Sequence, residues 1–178
     1  MKTTLRSDIT IKEICDGFVY NEAEGKGLFG LSGTLTIQPE YQRNYIYAES
    51  KKDVAVIESI LKGYPLGLIY FNTLKNGHFE VLDGQQRITS IGRFLTFKFP
   101  IKDENGMEQY FDSLPADKQK KILETKLLIY ECEGEESEIK ELENSLKLEP
   151  FKGKVEFGNV SFKYPNSNYY ALENISFK

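Results

Sequence analysis

Seven consecutive residues carry most of the chemistry this sequence offers: Asp83-Gly84-Gln85-Gln86-Arg87-Ile88-Thr89. The run His78 to Leu82 enters them as a strand, and Ile88, Ile91 and Leu95 leave them on a helical stripe. The motif is therefore predicted at a strand-to-helix junction. Such a junction offers backbone N–H groups with no helical partner and the positive end of a helix dipole. Gly84 permits a tight turn and close approach by a ligand. Arg87, in the first turn, can clamp an oxyanion with two hydrogen bonds. Asp83 can hold Mg²⁺ or orient water. Gln85 and Gln86 supply neutral donors and acceptors, and Thr89 can donate to a phosphate oxygen. These are the parts of a polyphosphate site without a Walker A loop. The alternative is an ordinary Asp-Gly turn followed by a wet first turn. A first-turn Arg opposes the dipole unless an anion or carboxylate compensates, which tilts the reading toward a ligand.

Other chemistries are excluded by counting. The one histidine, His78, sits in the hairpin-turn signal Asn76-Gly77-His78. Two-histidine zinc sites, H-E-x-x-H peptidases and an HNH nuclease centre all need more. Two cysteines, Cys15 and Cys132, make no disulfide framework, so a reducing cytoplasm is the default expectation.

A second motif, Ile37-Gln38-Pro39-Glu40-Tyr41-Gln42-Arg43, lies upstream. In order come this motif, a helix, a Gly-Tyr-Pro turn, a strand pair and Asp-Gly-Gln-Gln-Arg-Ile-Thr. That order resembles the N-terminal domain of GmrSD-type restriction proteins, itself similar to the ParB/sulfiredoxin superfamily. The resemblance covers about residues 8–141. It implies a mixed α/β (α+β), ParB/sulfiredoxin-like nucleotide-binding domain in a defence system acting on foreign or modified DNA. It implies NTP binding and hydrolysis with Mg²⁺. Asp83, Gln86 and Arg87 would be catalytic, with Asp83 at the metal. Arg43, Gly84, Gln85, Gln86, Arg87 and Thr89 would bind nucleotide. Sulfiredoxin-like chemistry is out, because Gln stands where that enzyme needs cysteine. With no HNH histidines, cutting of DNA by this chain alone is not expected. A nuclease subunit or domain is the implied partner.

From Lys152 the texture changes. Phe151 to Pro165 and Ala171 to Phe177 resemble the opening strands of an ABC-transporter nucleotide-binding domain, in which an aromatic at the position of Tyr164 stacks on adenine. No G-x-x-x-x-G-K-[S/T] loop follows, so this segment is not expected to hydrolyse ATP. The chain is thus read as a domain over 1–148 and a β-hairpin appendage over 149–178. Two other readings stay open: a non-enzymatic relic or interaction module, and an ABC-transporter fragment.

The elements that must position the motif are legible from periodicity. Residues 8–20 suggest one short helix or strand. Gly17, Gly25, Gly27, Gly30 and Gly33 mark residues 21–33 as a loop. Leu35 and Ile37 suggest a short strand. Ser50 to Lys62 reads as a helix with Ser50 as N-cap, a Val54-Ile57-Leu61 stripe and Gly63 as stop. Leu66 to Phe71 and His78 to Leu82 form a hairpin around Asn76-Gly77. A helix runs from Gln85 to Phe97, and a second hairpin surrounds Asn105-Gly106. A polar helix opened by Pro115 reaches Glu124, and a strand covers 126–131. The 23 Phe and Tyr residues are assigned to core packing. Lys118, Lys120 and Lys121 are assigned to a solvated face.

The chain has 178 residues, 40% hydrophobic and 28% charged, as in a soluble globular protein with a real core. Net charge is −4, and residues 131–149 hold eight acidic residues and two lysines, a solvated helix face. A chain living by bulk attraction to nucleic acid would be basic, so DNA is expected as an indirect partner only. No apolar run is long enough for membrane insertion.

Overall fold

A computed structural model describes residues 1–21, 23, 26–38, 51–146, 157–162 and 172–177. Arg43, Ser50 and Tyr164, and with them the Ser50 cap and most of the Ile37–Arg43 motif, lie outside these residues.

The chain divides into two compact units, Met1–Leu146 and Lys147–Lys178. The first is built on seven strands: β1 (Lys2–Arg6), β2 (Val19–Asn21), β3 (Lys26–Gly30), β4 (Leu35–Thr36), β5 (Leu68–Thr73), β6 (Phe79–Asp83) and, later in the chain, a strand over Leu128–Glu133. Between β6 and that strand, β7 (Ile101–Lys102) and β8 (Glu108–Gln109) form a separate small hairpin, so the Leu128–Glu133 strand is β9. The sheet order is β1-β9-β5-β6-β4-β3-β2. β9 runs parallel to β5 and β4 parallel to β6; the other neighbours are antiparallel. Five helices, α1 (Ile11–Ile14), α2 (Lys51–Lys62), α3 (Gln85–Leu95), α4 (Ala116–Glu124) and α5 (Glu136–Leu146), complete a mixed α/β fold.

The alternation of β5 and β9 separates two cores. Ile69, Phe71, Val81 and Ile129 face a large core with Ile11, Ile57, Ile60, Ile88, Ile91, Phe94 and Ile122 from the first four helices. Leu82 and Cys132 face the other way, with Tyr70 and Tyr130, onto Ile139, Leu142 and Leu146 of α5. This period of two places Asp83 at the end of a strand buried on both faces.

Several helices end where the sequence says. The α1 start is a capping box: the Glu13 N–H donates to Thr10 Oγ1, and Glu13 accepts from the Thr10 N–H. α2 closes with the Tyr64 N–H on the Ser59 carbonyl and the Gly63 N–H on that of Ile60, a Schellman arrangement. In the β5–β6 turn the His78 N–H donates to Asn76 Oδ1, and His78 is an exposed turn residue. Phe94 packs against Phe99 and Phe111, and Phe71 against Phe79, whereas Phe29, Tyr64, Phe97 and Tyr110 are exposed and do not serve the core.

The glycine-rich stretch is corrected. It is not a loop: β2, β3 and a 3-10 turn over Leu31–Gly33 account for most of it. Its glycines serve close approach. A Cβ at Gly27 would stand 2.6 Å from Thr89 Oγ1 on α3, and one at Gly30 would strike the Ile14 carbonyl. The edge strand β1, antiparallel to β9, has no counterpart in the sequence reading. In the second unit, β10 (Phe157–Phe162) and β11 (Leu172–Phe177) form an antiparallel hairpin pairing Phe157 with Phe177 and Phe162 with Leu172.

Candidate functional site

The Asp83–Thr89 motif lies where β6 meets α3. Gly84 is the α3 N-cap residue, with φ +99° and its missing side chain turned toward Ile69 of β5. Any Cβ there would sit 2.9 Å from Ile69 Cγ1, so the turn depends on glycine twice, for its backbone and for its space. The helix opens with no side-chain cap and no acidic residue in its first turn. Its first hydrogen bond runs from the Ile88 N–H to the Gly84 carbonyl. The N–H groups of Gln85, Gln86 and Arg87 precede that bond, at the positive end of the dipole.

The side chains divide between solvent and fold. The Asp83 side chain is 46% exposed at the strand end. Arg87 is 23% exposed and faces back over the junction: Nη1 donates to the Leu66 carbonyl at 2.5 Å, and Nη2 to the Leu68 carbonyl at 2.7 Å and to Asp83 Oδ2 at 3.0 Å. The carboxylate that relieves Arg87 of its clash with the dipole is thus Asp83, one turn away. Gln85 Nε2 donates to the Val81 carbonyl, and Gln86 is half-buried. Thr89 is fully buried; its hydroxyl donates to Gln38 Oε1 at 3.3 Å, so it serves the interior rather than the open side of the junction.

That contact joins the two motifs. Gln38 is buried, and its Oε1 also accepts from the Gly27 N–H at 2.8 Å. One amide therefore ties the β3 strand, α3 and the start of the Ile37–Arg43 motif. Only its position beside Ile37 hinted at this, since a buried Gln leaves no pattern of its own.

Sequence reasoning also missed a buried ion pair beneath the site. Arg93 on α3 donates to Asp53 Oδ2 on α2 at 2.5 Å. Its guanidinium lies over the Tyr20 ring, 5.0 Å from the centroid, and over Phe99 at 5.7 Å. Burial lifts the Asp53 carboxyl above its ordinary range, against the pull of Ser90 and Arg93. Ser90 in turn donates to the Gln86 carbonyl, which connects the pair to the first turn of α3.

Elsewhere the groups are settled. Burial pushes the Cys15 thiol up to about 12, which keeps it in the thiol form at neutral pH. Lys121 Nζ donates to the Leu61 carbonyl at the α2 end, and Lys120 pairs with Glu124, which uses two of the three patch lysines locally. Two clefts lie away from the junction. One of about 840 Å³ is lined in part by Arg6, Asp8, Glu13 and Glu131, the other of about 860 Å³ by Lys62, Lys102, Lys118 and Lys121 with acidic neighbours. Among the described residues no helix is long and apolar enough to cross a membrane.

No curated protein and no solved structure matches the chain. The family model for the GmrSD restriction endonuclease N-terminal domain matches residues 26–176, which reaches from β3 into β11. The stretch resembling an ABC domain lies almost wholly inside that match. With both motifs inside it as well, the chain belongs to the GmrSD N-terminal domain family and is a component of a restriction, phage-defence system.

Proposed function

We propose that the β6–α3 junction binds a nucleoside triphosphate with Mg²⁺, and that NTP binding and hydrolysis are what this domain brings to the restriction system. The observation that carries this is the junction: left-handed Gly84 opens α3 without a side-chain cap, beside a half-exposed carboxylate. Membership in a restriction-protein family supports it.

The first-turn N–H groups would receive phosphate oxygens. Asp83 would hold Mg²⁺ through the oxygen that Arg87 leaves open. Among the described residues no three His, Cys, Asp or Glu side chains gather as a metal cage. A single carboxylate fits Mg²⁺, which takes its remaining ligands from phosphates and water. Bound there, the ion supplies charge neutralisation and polarises the terminal phosphoryl group. Gln86 stands in the first turn, suited to orienting water, and Arg43 is proposed as a second basic group. DNA would be handled by a partner nuclease subunit or domain.

One observation favours a second reading, an interaction module without catalysis. Arg87 bonds to backbone carbonyls and Thr89 is buried, as in a junction whose polar residues serve the fold. Thermal unfolding of the full chain separates the two. With ATP, GTP, CTP or UTP at millimolar concentration and MgCl₂, the nucleotide reading expects at least one to raise Tm by several degrees. Saturation at 100 Kd adds about 2.7 kcal/mol. At this size each kcal/mol moves Tm by roughly 2–4 °C. An unchanged Tm with all four supports the interaction module.

A further inference from the structure

Resting on the nucleotide reading, we propose that Arg87 is a positioning residue that fixes Asp83 toward Mg²⁺, rather than the clamp on the phosphates. A guanidinium has five N–H donors. Three of those of Arg87 are held inside the protein, by the Leu66 and Leu68 carbonyls and by Asp83 Oδ2. Its charge is already met by Asp83 at 3.0 Å. Gripping a phosphate with the same fork would mean giving up that partner.

The chain is shaped around this docking. The two accepting carbonyls flank Gly67, whose φ is +79°. A Cβ at Gly67 would stand 2.8 Å from Arg87 Nη1. So the turn before β5 is held open by glycine to let the guanidinium reach both carbonyls. The result is a carboxylate with one oxygen pinned on a side chain that is still 46% exposed. Groups that hydrogen-bond a metal-ligating carboxylate set its orientation, and losing them typically weakens metal affinity 10–100-fold.

The test uses the full chain and four proteins: wild type, Arg87→Ala, Arg87→Lys and Gly67→Ala. For each, ATP, GTP, CTP and UTP are titrated calorimetrically in EDTA and then at increasing MgCl₂. Thermal melts check folding. Positioning predicts that Arg87→Ala and Gly67→Ala both raise the half-saturating Mg²⁺ at least about tenfold. Their Mg-free nucleotide affinity should stay within about twofold, since no phosphate contact is lost. Arg87→Lys keeps the charge but not the fork, and should fall between. If Arg87→Ala does not fold, Gly67→Ala and Arg87→Lys decide by the same readout. A tenfold loss of Mg-free affinity on Arg87→Ala or Arg87→Lys, with Gly67→Ala unaffected, makes Arg87 the phosphate clamp and overturns the proposal. So does an unchanged Mg²⁺ requirement in the folded variants. A wild type that binds none of the four nucleotides removes the site itself and this role with it. A wild type that binds while the variants behave as a clamp removes the role alone.

Discussion

At Gly84 one methyl group would meet Ile69 on a backbone that L-residues avoid. Gly84→Ala is expected to cost about 1–3 kcal/mol, the usual penalty for such strain. Urea unfolding checks it; a loss under 0.5 kcal/mol would mean that the turn tolerates a side chain. The buried Asp53–Arg93 pair sets a second residue-scale expectation. Asp53→Ala leaves Arg93 without its carboxylate and should cost about 3–5 kcal/mol. Asp53→Ala with Arg93→Met should recover part of that, because the stranded charge goes too. Acid sensitivity has a local source in Asp8, whose carboxyl Arg6 holds from 3.8 down to about 2. A depressed acid lends stability above its unfolded value and loses it as pH falls through the folded one. Asp8→Asn should therefore lower stability at neutral pH and flatten the pH 4 to 2 limb of a stability profile, the two proteins converging near pH 2. The motif residues were legible because their types are chemical. Gln38, Asp53 and Arg93 were not, since a buried polar residue is identified by partners distant in sequence.

Elements defined by local rules were read close to their bounds. α2 and α3 carry an apolar stripe, α2 a glycine stop, α4 an opening proline, and the β5–β6 and β7–β8 hairpins an Asn-Gly turn, all of them local signals. The failures have one cause. Gly27 and Gly30 lie in β3 because α3 and α1 approach closely there, and that proximity exists only in the folded chain. β1 (Lys-Thr-Thr-Leu-Arg) has a weak pattern and owes its strand to pairing with β9. Its register places Arg6 beside Glu131 at 2.9 Å, an edge pair that sequence spacing cannot reveal. α5 was expected only as a charged face, yet Ile139, Leu142 and Leu146 close the second core. Replacing Ile139 with Ala should cost about 2–4 kcal/mol if that core is continuous. A cost near zero, read from denaturant melts, would mean that α5 is only loosely seated.

At the scale of the molecule, Met1–Leu146 holds both described cores and the junction. A chain ended at Leu146 is expected to melt cooperatively and to keep the Mg-nucleotide response; a broad, non-cooperative melt would show that the remaining residues are needed for folding. Net charge of −4 leaves little electrostatic footprint for DNA. The isolated chain should not bind an unmodified duplex below micromolar Kd at physiological salt. Tighter binding in a gel-shift series would place DNA recognition on this chain rather than on a partner. The most direct test of nucleotide binding at the junction is amide hydrogen exchange of the full chain with and without Mg-NTP at saturating concentration. Binding at β6–α3 slows exchange at Gln85, Gln86 and Arg87 and at the Leu66–Leu68 stretch that Arg87 grips. Protection confined to other segments, or no change at all, contradicts it.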